Sequence, residues 1–143
     1  MPLIQVSATQ GSLNENEQAL LMKRLSNAVL KAERAPIESE GAQSLVWAYF
    51  HELAKTAVYV GGENFNDTPL RIAVTTPEGA LNAATRKELV EEVSIIVDDI
   101  LGPYPERLNH WAMLYELDEG SWAGGGQIFP LVGIQAAMDI KAA

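Results

Sequence analysis

The chain has 143 residues, 48% of them apolar, and its 10 Lys and Arg against 19 Asp and Glu leave a net charge of −9. That length suits one domain with a real core, and that charge excludes the basic face a nucleic-acid partner needs. The absence of cysteine excludes disulfide and thiolate chemistry, and two histidines far apart in sequence make no zinc pattern, so neither metal nor cofactor is expected.

The chain opens MPLIQV. Enzymatic removal of Met1 would turn Pro2 from an amide into a free secondary amine. No basic segment leads into an apolar run, and no apolar stretch approaches the roughly 20 residues that span a bilayer. A cytoplasmic protein with no membrane partner is therefore the default expectation.

The first strand is expected over Leu3, Ile4 and Val6, which are apolar and β-favouring. Gly11 marks the turn out of it, Asn14 stands where a helix N-cap belongs, and Glu17 completes a capping box. Leu21, Leu25, Ala28, Val29 and Ala32 then recur at helical spacing, and the proline in AERAP stops the helix. A second strand is expected over 44–53, with Trp47, Tyr49 and His51 alternating against Ala48, Phe50 and Glu52.

The pattern then repeats. IQVSATQGSLN (4–14) lies over IAVTTPEGALN (72–82), and WAYFHEL (47–53) lies over WAMLYEL (111–117). The offset is 68 positions for the first pair and 64 for the second, so the change falls between Ala32 and Trp47. Gly61-Gly62 and Gly125-Gly126 stay in register. Asn82 repeats the N-cap, and Leu89, Val93, Ile96, Val97 and Ile100 repeat the helix stripe. The expected last strand, 109–117, sets Trp111, Met113 and Tyr115 against Ala112, Leu114 and Glu116.

Two β-α-β units, about 2–63 and 70–127, thus form one domain with a short C-terminal tail. A helix between two strands of one sheet implies a parallel, right-handed crossover. The fold class is α+β: a four-stranded mixed sheet with two helices on one face. The other face is rich in aromatic residues and needs cover, which points to self-association.

The opening MPLIQV, the length of the units, and a strand running into W-x-x-G-G together resemble the tautomerase superfamily. The layout is most similar to the cis-3-chloroacrylic acid dehalogenase group, whose chains carry two fused units and form trimers. The resemblance implies a homotrimer, a small-molecule carboxylate substrate, and an N-terminal proline as the catalytic group, here Pro2. It places Trp122 at the family's aromatic ahead of the closing glycines. The dehalogenase group's other polar positions hold Val29, Pro77, Ala80, Met113 and Gly124 in this chain. The arginine positions of the single-unit tautomerases hold Ser12 and Ala80, and Trp47 and Trp111.

A proline amine buried in an apolar site is held neutral near pH 7 and can move a proton between carbon and oxygen beside a carbonyl. Trp47, Tyr49, Trp111, Tyr115 and Trp122 are candidates for the apolar wall, and His51 for a general acid. Arg71, Arg107 and Lys55 are the cations available to a carboxylate. The expected activity is therefore a Pro2-dependent tautomerase or isomerase of small enol or 2-oxo acids. The alternatives are a dehalogenase-like hydratase and a non-catalytic trimeric binding protein.

Overall fold

The computed structural model describes residues 1–141. Strand β1 (Leu3–Thr9) leads into helix α1 (Glu15–Ala32), a short helix α2 (Glu40–Leu45) and strand β2 (Trp47–Leu53). The second unit repeats this with β3 (Leu70–Pro77), α3 (Ala83–Ile100) and β4 (His110–Leu117). A hairpin of β5 (Ala123–Gly124) and β6 (Gln127–Ile128) and a last helix α4 (Leu131–Ala137) complete the chain.

The sheet order is β2-β1-β3-β4, parallel within each unit and antiparallel between the units. The pairing confirms the sequence repeat residue by residue. Leu3 pairs with Trp47 and Arg71 with Trp111, which are corresponding positions of the two units. Between units, Gln5 pairs with Ala73, its own counterpart 68 positions on. A local two-fold axis therefore passes through that pair.

Both long helices start as the sequence implies. Asn14 accepts from the Glu17 amide at 2.8 Å while Glu17 accepts from the Asn14 amide at 3.0 Å. Asn82 and Thr85 make the same reciprocal box, both bonds at 2.9 Å. Alternation along the strands decides the faces. Ile4, Val6, Ile72 and Val74 meet Leu21, Leu25, Val29, Leu89, Val93 and Val97 in the main core. Helix α1 also reaches α3 directly through Arg24 and Asp99, paired at 2.9 Å. The opposite sheet face leaves Trp47 60% and Trp111 67% exposed.

Three details depart from the sequence reading. The second strand begins at Trp47 rather than at position 44, because Ser44 and Leu45 belong to α2. That helix occupies the place where the two repeat offsets part, so only the first unit has it. The C-terminal tail is partly helical, and α4 packs against a second, smaller core of Leu30, Ala35, Ala42, Ile134 and Met138. Ser39 caps α2 by accepting from the Ala42 amide, and its hydroxyl also donates to Asp139 just beyond α4.

Helices α2 and α4 touch where Gly41 meets the Ala137 carbonyl, which a Cβ at position 41 would strike. Gly41→Ala should therefore destabilise the fold by about 1–3 kcal/mol through overpacking. Helix propensity alone, worth about 1 kcal/mol, would favour the alanine. Urea unfolding of the variant reads which of the two terms wins.

Candidate active site

The end of α1 prepares the surroundings of the amino terminus. Helix α1 ends at Glu33, with Arg34 in the left-handed region at φ 64°. The Arg34 amide donates to Lys31 and the Ala35 amide to Leu30, at 3.0 and 2.9 Å. This is a Schellman ending, and its customary apolar contact is supplied by Ala35 and Leu30, both buried in the second core. The turn directs Glu33 inward, where it is only 4% exposed.

The amino terminus lies against the same core. The Met1 amine stands 3.9 Å from a Glu33 carboxylate oxygen and donates to Met138 Sδ at 2.8 Å. Neither Glu33 oxygen has a hydrogen-bond partner among the described residues. Burial pushes the Glu33 carboxyl up to about 7, against the pull of the amine's charge. Burial likewise lowers the amine below its ordinary value, against the pull of Glu33. Both groups are thus driven toward their neutral forms.

The amino terminus also borders a cavity of about 790 Å³. Pro2 is buried in its wall, and the Pro2 carbonyl is held by the Trp47 amide at 3.1 Å. Strand β2 contributes Trp47 and Tyr49; the β5–β6 hairpin contributes Gly124 and Gln127; Trp122 and Phe129 flank the hairpin. The Trp47 indole is fixed by donating to the Ser44 carbonyl at 3.0 Å. Gly124 lets the Phe129 ring approach closely, since a Cβ there would sit 3.1 Å from it. Gly125 and Gly126 both have positive φ, 58° and 81°, the pair a tight hairpin turn requires. Helix α4 closes the cavity with Gly133, Ile134 and Ala137, its Leu131 amide donating to the Glu119 carboxylate. No lysine or arginine lines the cavity.

Of the residues singled out in the sequence, the structure brings Pro2, Trp47, Tyr49 and Trp122 together. His51 follows Tyr49 along β2, with 6.5 Å between ring centroids, and points to solvent outside the cavity. Trp111 and Tyr115 lie on β4, three strand spacings or about 14 Å from β2. Arg71 is exposed on the uncovered face of β3. Arg107 stacks on Tyr104 and Phe65, at 4.7 and 5.4 Å, and Lys55 is exposed in a one-turn 3-10 helix, Lys55–Ala57.

Sequence reasoning missed Glu33. AERAP carries a helix stop, and nothing local distinguishes a buried glutamate there from a solvated one. The signal lies in the repeat. The counterparts of Glu33 and Arg34 are Leu101 and Gly102, and Gly102 has the same left-handed backbone at φ 86°. Both helices end on a left-handed residue, but the bonds differ: the Gly102 amide donates to Asp98 and Pro103 has no amide for a second bond, while the Glu33 oxygens make no bond in their own turn. A carboxylate is therefore not required by the turn.

A carboxyl raised from 4.5 to about 7 on folding holds a proton in the folded chain that the unfolded chain has released. Its contribution is fully present below pH 4.5 and is lost as pH rises toward 7, a loss of roughly 3 kcal/mol. Glu33→Leu should remove this slope and make the protein more stable than the parent at pH 7. Urea midpoints at pH 5 and pH 7 measure both effects.

No protein-family model and no curated protein matches the chain. Solved structures do match it. A fused 4-OT wild-type asymmetric trimer, 24% identical, aligns over 88% of this chain and 94% of its own with a TM-score of 0.73. Pt0534 inactivated by 2-oxo-3-pentynoate, 25% identical, aligns over the same shares with a TM-score of 0.72. N1, a member of the cis-3-chloroacrylic acid dehalogenase (cis-CaaD) family, is 20% identical over 90% of this chain and 83% of its own, with a TM-score of 0.72. The two-unit sheet, its paired helices and its closing hairpin are thus the fold of the tautomerase superfamily in its fused form.

Proposed function

We propose that this chain is a Pro2-dependent keto–enol tautomerase of small enol and 2-oxo acids, acting as a homotrimer once Met1 has been removed. The observation that carries the reading is Pro2 in the wall of an apolar, aromatic-lined cavity, one residue from the amine that faces the buried Glu33. In that setting the secondary amine is held neutral, takes a proton from the carbon next to a carbonyl, and returns it at the other end of the enol. Trp47, Trp122 and Phe129 exclude water from the transfer. Tyr49 and Gln127 are the polar side chains lining the cavity and are the candidates to hold the carbonyl oxygen.

A substrate carboxylate finds no cation in the cavity of a single chain. Arg71 lies on the uncovered sheet face, the surface that assembly would bury, and is the candidate to reach a neighbouring subunit's cavity. The exposed Trp47, Tyr49, Trp111 and Tyr115 favour assembly through that face. Among the similar structures, fused 4-OT chains are described as trimers. Water activation of the dehalogenase kind is disfavoured, because the position matching that group's glutamate is Gly124.

One observation favours a second reading, a binding protein without catalysis. The Met1 side chain packs onto the second core, and while Met1 is present the Pro2 nitrogen is an amide with no basic lone pair. Intact mass of the purified protein separates the two readings.

On protein verified to begin at Pro2, Pro2→Ala should lower kcat/KM for phenylenolpyruvate by at least about 100-fold while the circular dichroism is unchanged. A retained rate overturns the tautomerase reading. Sedimentation should give three times the 15.5 kDa chain mass, and Trp111→Glu should shift it to smaller species.

A further inference from the structure

The structure points to Glu33 as the proton partner of the amino-terminal amine, and we propose that it sets which form of that amine the cavity presents. The inference deepens the reading of Pro2 as the reactive group and rests on it. Three separate observations carry it. The carboxyl lies 3.9 Å from the terminal amine, within the range of a charge interaction. It is buried with neither oxygen hydrogen-bonded among the described residues, an arrangement that costs stability and serves no structural need seen here. The equivalent turn of the second unit, which has no chain terminus beside it, carries Leu101 instead.

Removal of Met1 keeps the pair within reach. Successive backbone nitrogens are at most about 3.6 Å apart, so the Pro2 nitrogen lies no more than about 7.5 Å from the same carboxylate oxygen. One bridging water spans roughly 5.6 Å, so a shift of the freed terminus by about 2 Å is enough to connect them.

The charges on the surrounding elements are engaged elsewhere. Arg34 pairs with Glu88 at 3.4 Å, and Lys31 lines the groove between α1 and α3 beside Glu88 and Glu92. Asp139, after α4, accepts from Ser39, while Glu38 and Glu40 at the start of α2 are exposed, as is Lys141. The amine is the charge that faces Glu33.

The pair then shares one proton. With the proton on the carboxyl, the amine is neutral and can accept from a substrate carbon. With the proton on the nitrogen, Glu33 is ionised and the ammonium is ready to donate. The two forms differ only in the position of that proton, so moving it between the groups switches the amine between its acid and base states. Glu33 does not line the cavity, so it acts through the amine as a positioning residue.

The test reads the amine directly, without turnover. 2-Oxo-3-pentynoate adds the neutral amine across its triple bond, the N–H proton moving to carbon, and mass spectrometry locates the adduct. The alkylation rate of the parent should rise with pH in two coupled steps. In Glu33→Gln it should rise in a single step, with its midpoint about one pH unit or more lower, because the carboxylate that favours the ammonium is gone. Glu33→Asp should restore part of the shift. Superimposable profiles for parent and Glu33→Gln overturn the proposal. If Glu33→Gln does not fold, Glu33→Leu, which copies the second unit, carries the same measurement. An adduct on Pro2 with shifted profiles but no phenylenolpyruvate turnover would uphold the pair and sink the tautomerase reading. Turnover with unshifted profiles would do the reverse.

Discussion

The pairing of β1 with β3 is the constraint on which the rest of the molecule depends. Each unit alone has a two-stranded parallel sheet and one long helix, which is too little to bury the helix's apolar stripe on both sides. Joining the units about Gln5 and Ala73 makes a four-stranded sheet wide enough to carry α1 and α3 side by side. The same pairing puts the amino terminus beside β2, since β1 has β2 as its other neighbour. Trp47 and Tyr49 therefore come to Pro2 by sheet geometry alone. The hairpin and α4 then complete a cavity around a position that the sheet has already set.

The second core is organised around a cost. A buried, unbonded carboxyl is tolerated at the end of α1 where leucine would pack, as it does in the sister unit. Proteins commonly keep such locally unfavourable groups where a reaction needs them. The surroundings fit that pattern: a left-handed non-glycine residue follows the carboxyl, and a helix specific to the first unit packs beside it. The electrostatics are simple because the site is sparsely charged. Two groups titrate against each other, and desolvation, which moves them in opposite directions, is the larger cause for each.

Much of the architecture was legible in the sequence because the chain states it twice. Strand alternation, the asparagine caps and the helix stripes recur at fixed offsets, and each copy checks the other. The same comparison located the insertion between Ala32 and Trp47, though not that it is helical, because six residues are too few for a helical period to stand out. Pro2, Trp47, Tyr49 and Trp122 were legible as a group of candidates from strand faces and family resemblance. What was not legible needed tertiary distance. Trp111 repeats Trp47 in local pattern, and Tyr115 takes the place of His51, yet neither β4 residue has the chain terminus nearby. Glu33 was hidden because a charged residue at a helix end is ordinarily solvated, and the core that Leu30 and Ala35 join beside it is completed by Ile134 and Met138, about a hundred residues later.

The central pair of the sheet has a consequence for how such a site can change over time. An axis that joins a residue to its own counterpart is one that two separate, identical units could also form. In such an assembly any substitution appears in both halves, so an unfavourable carboxyl would be buried twice. Covalent fusion breaks that symmetry. In one chain, one half can carry Leu101 and serve as scaffold while the other carries Glu33 and an extra helix. The two halves need not differentiate together, and the stability of one underwrites the specialisation of the other.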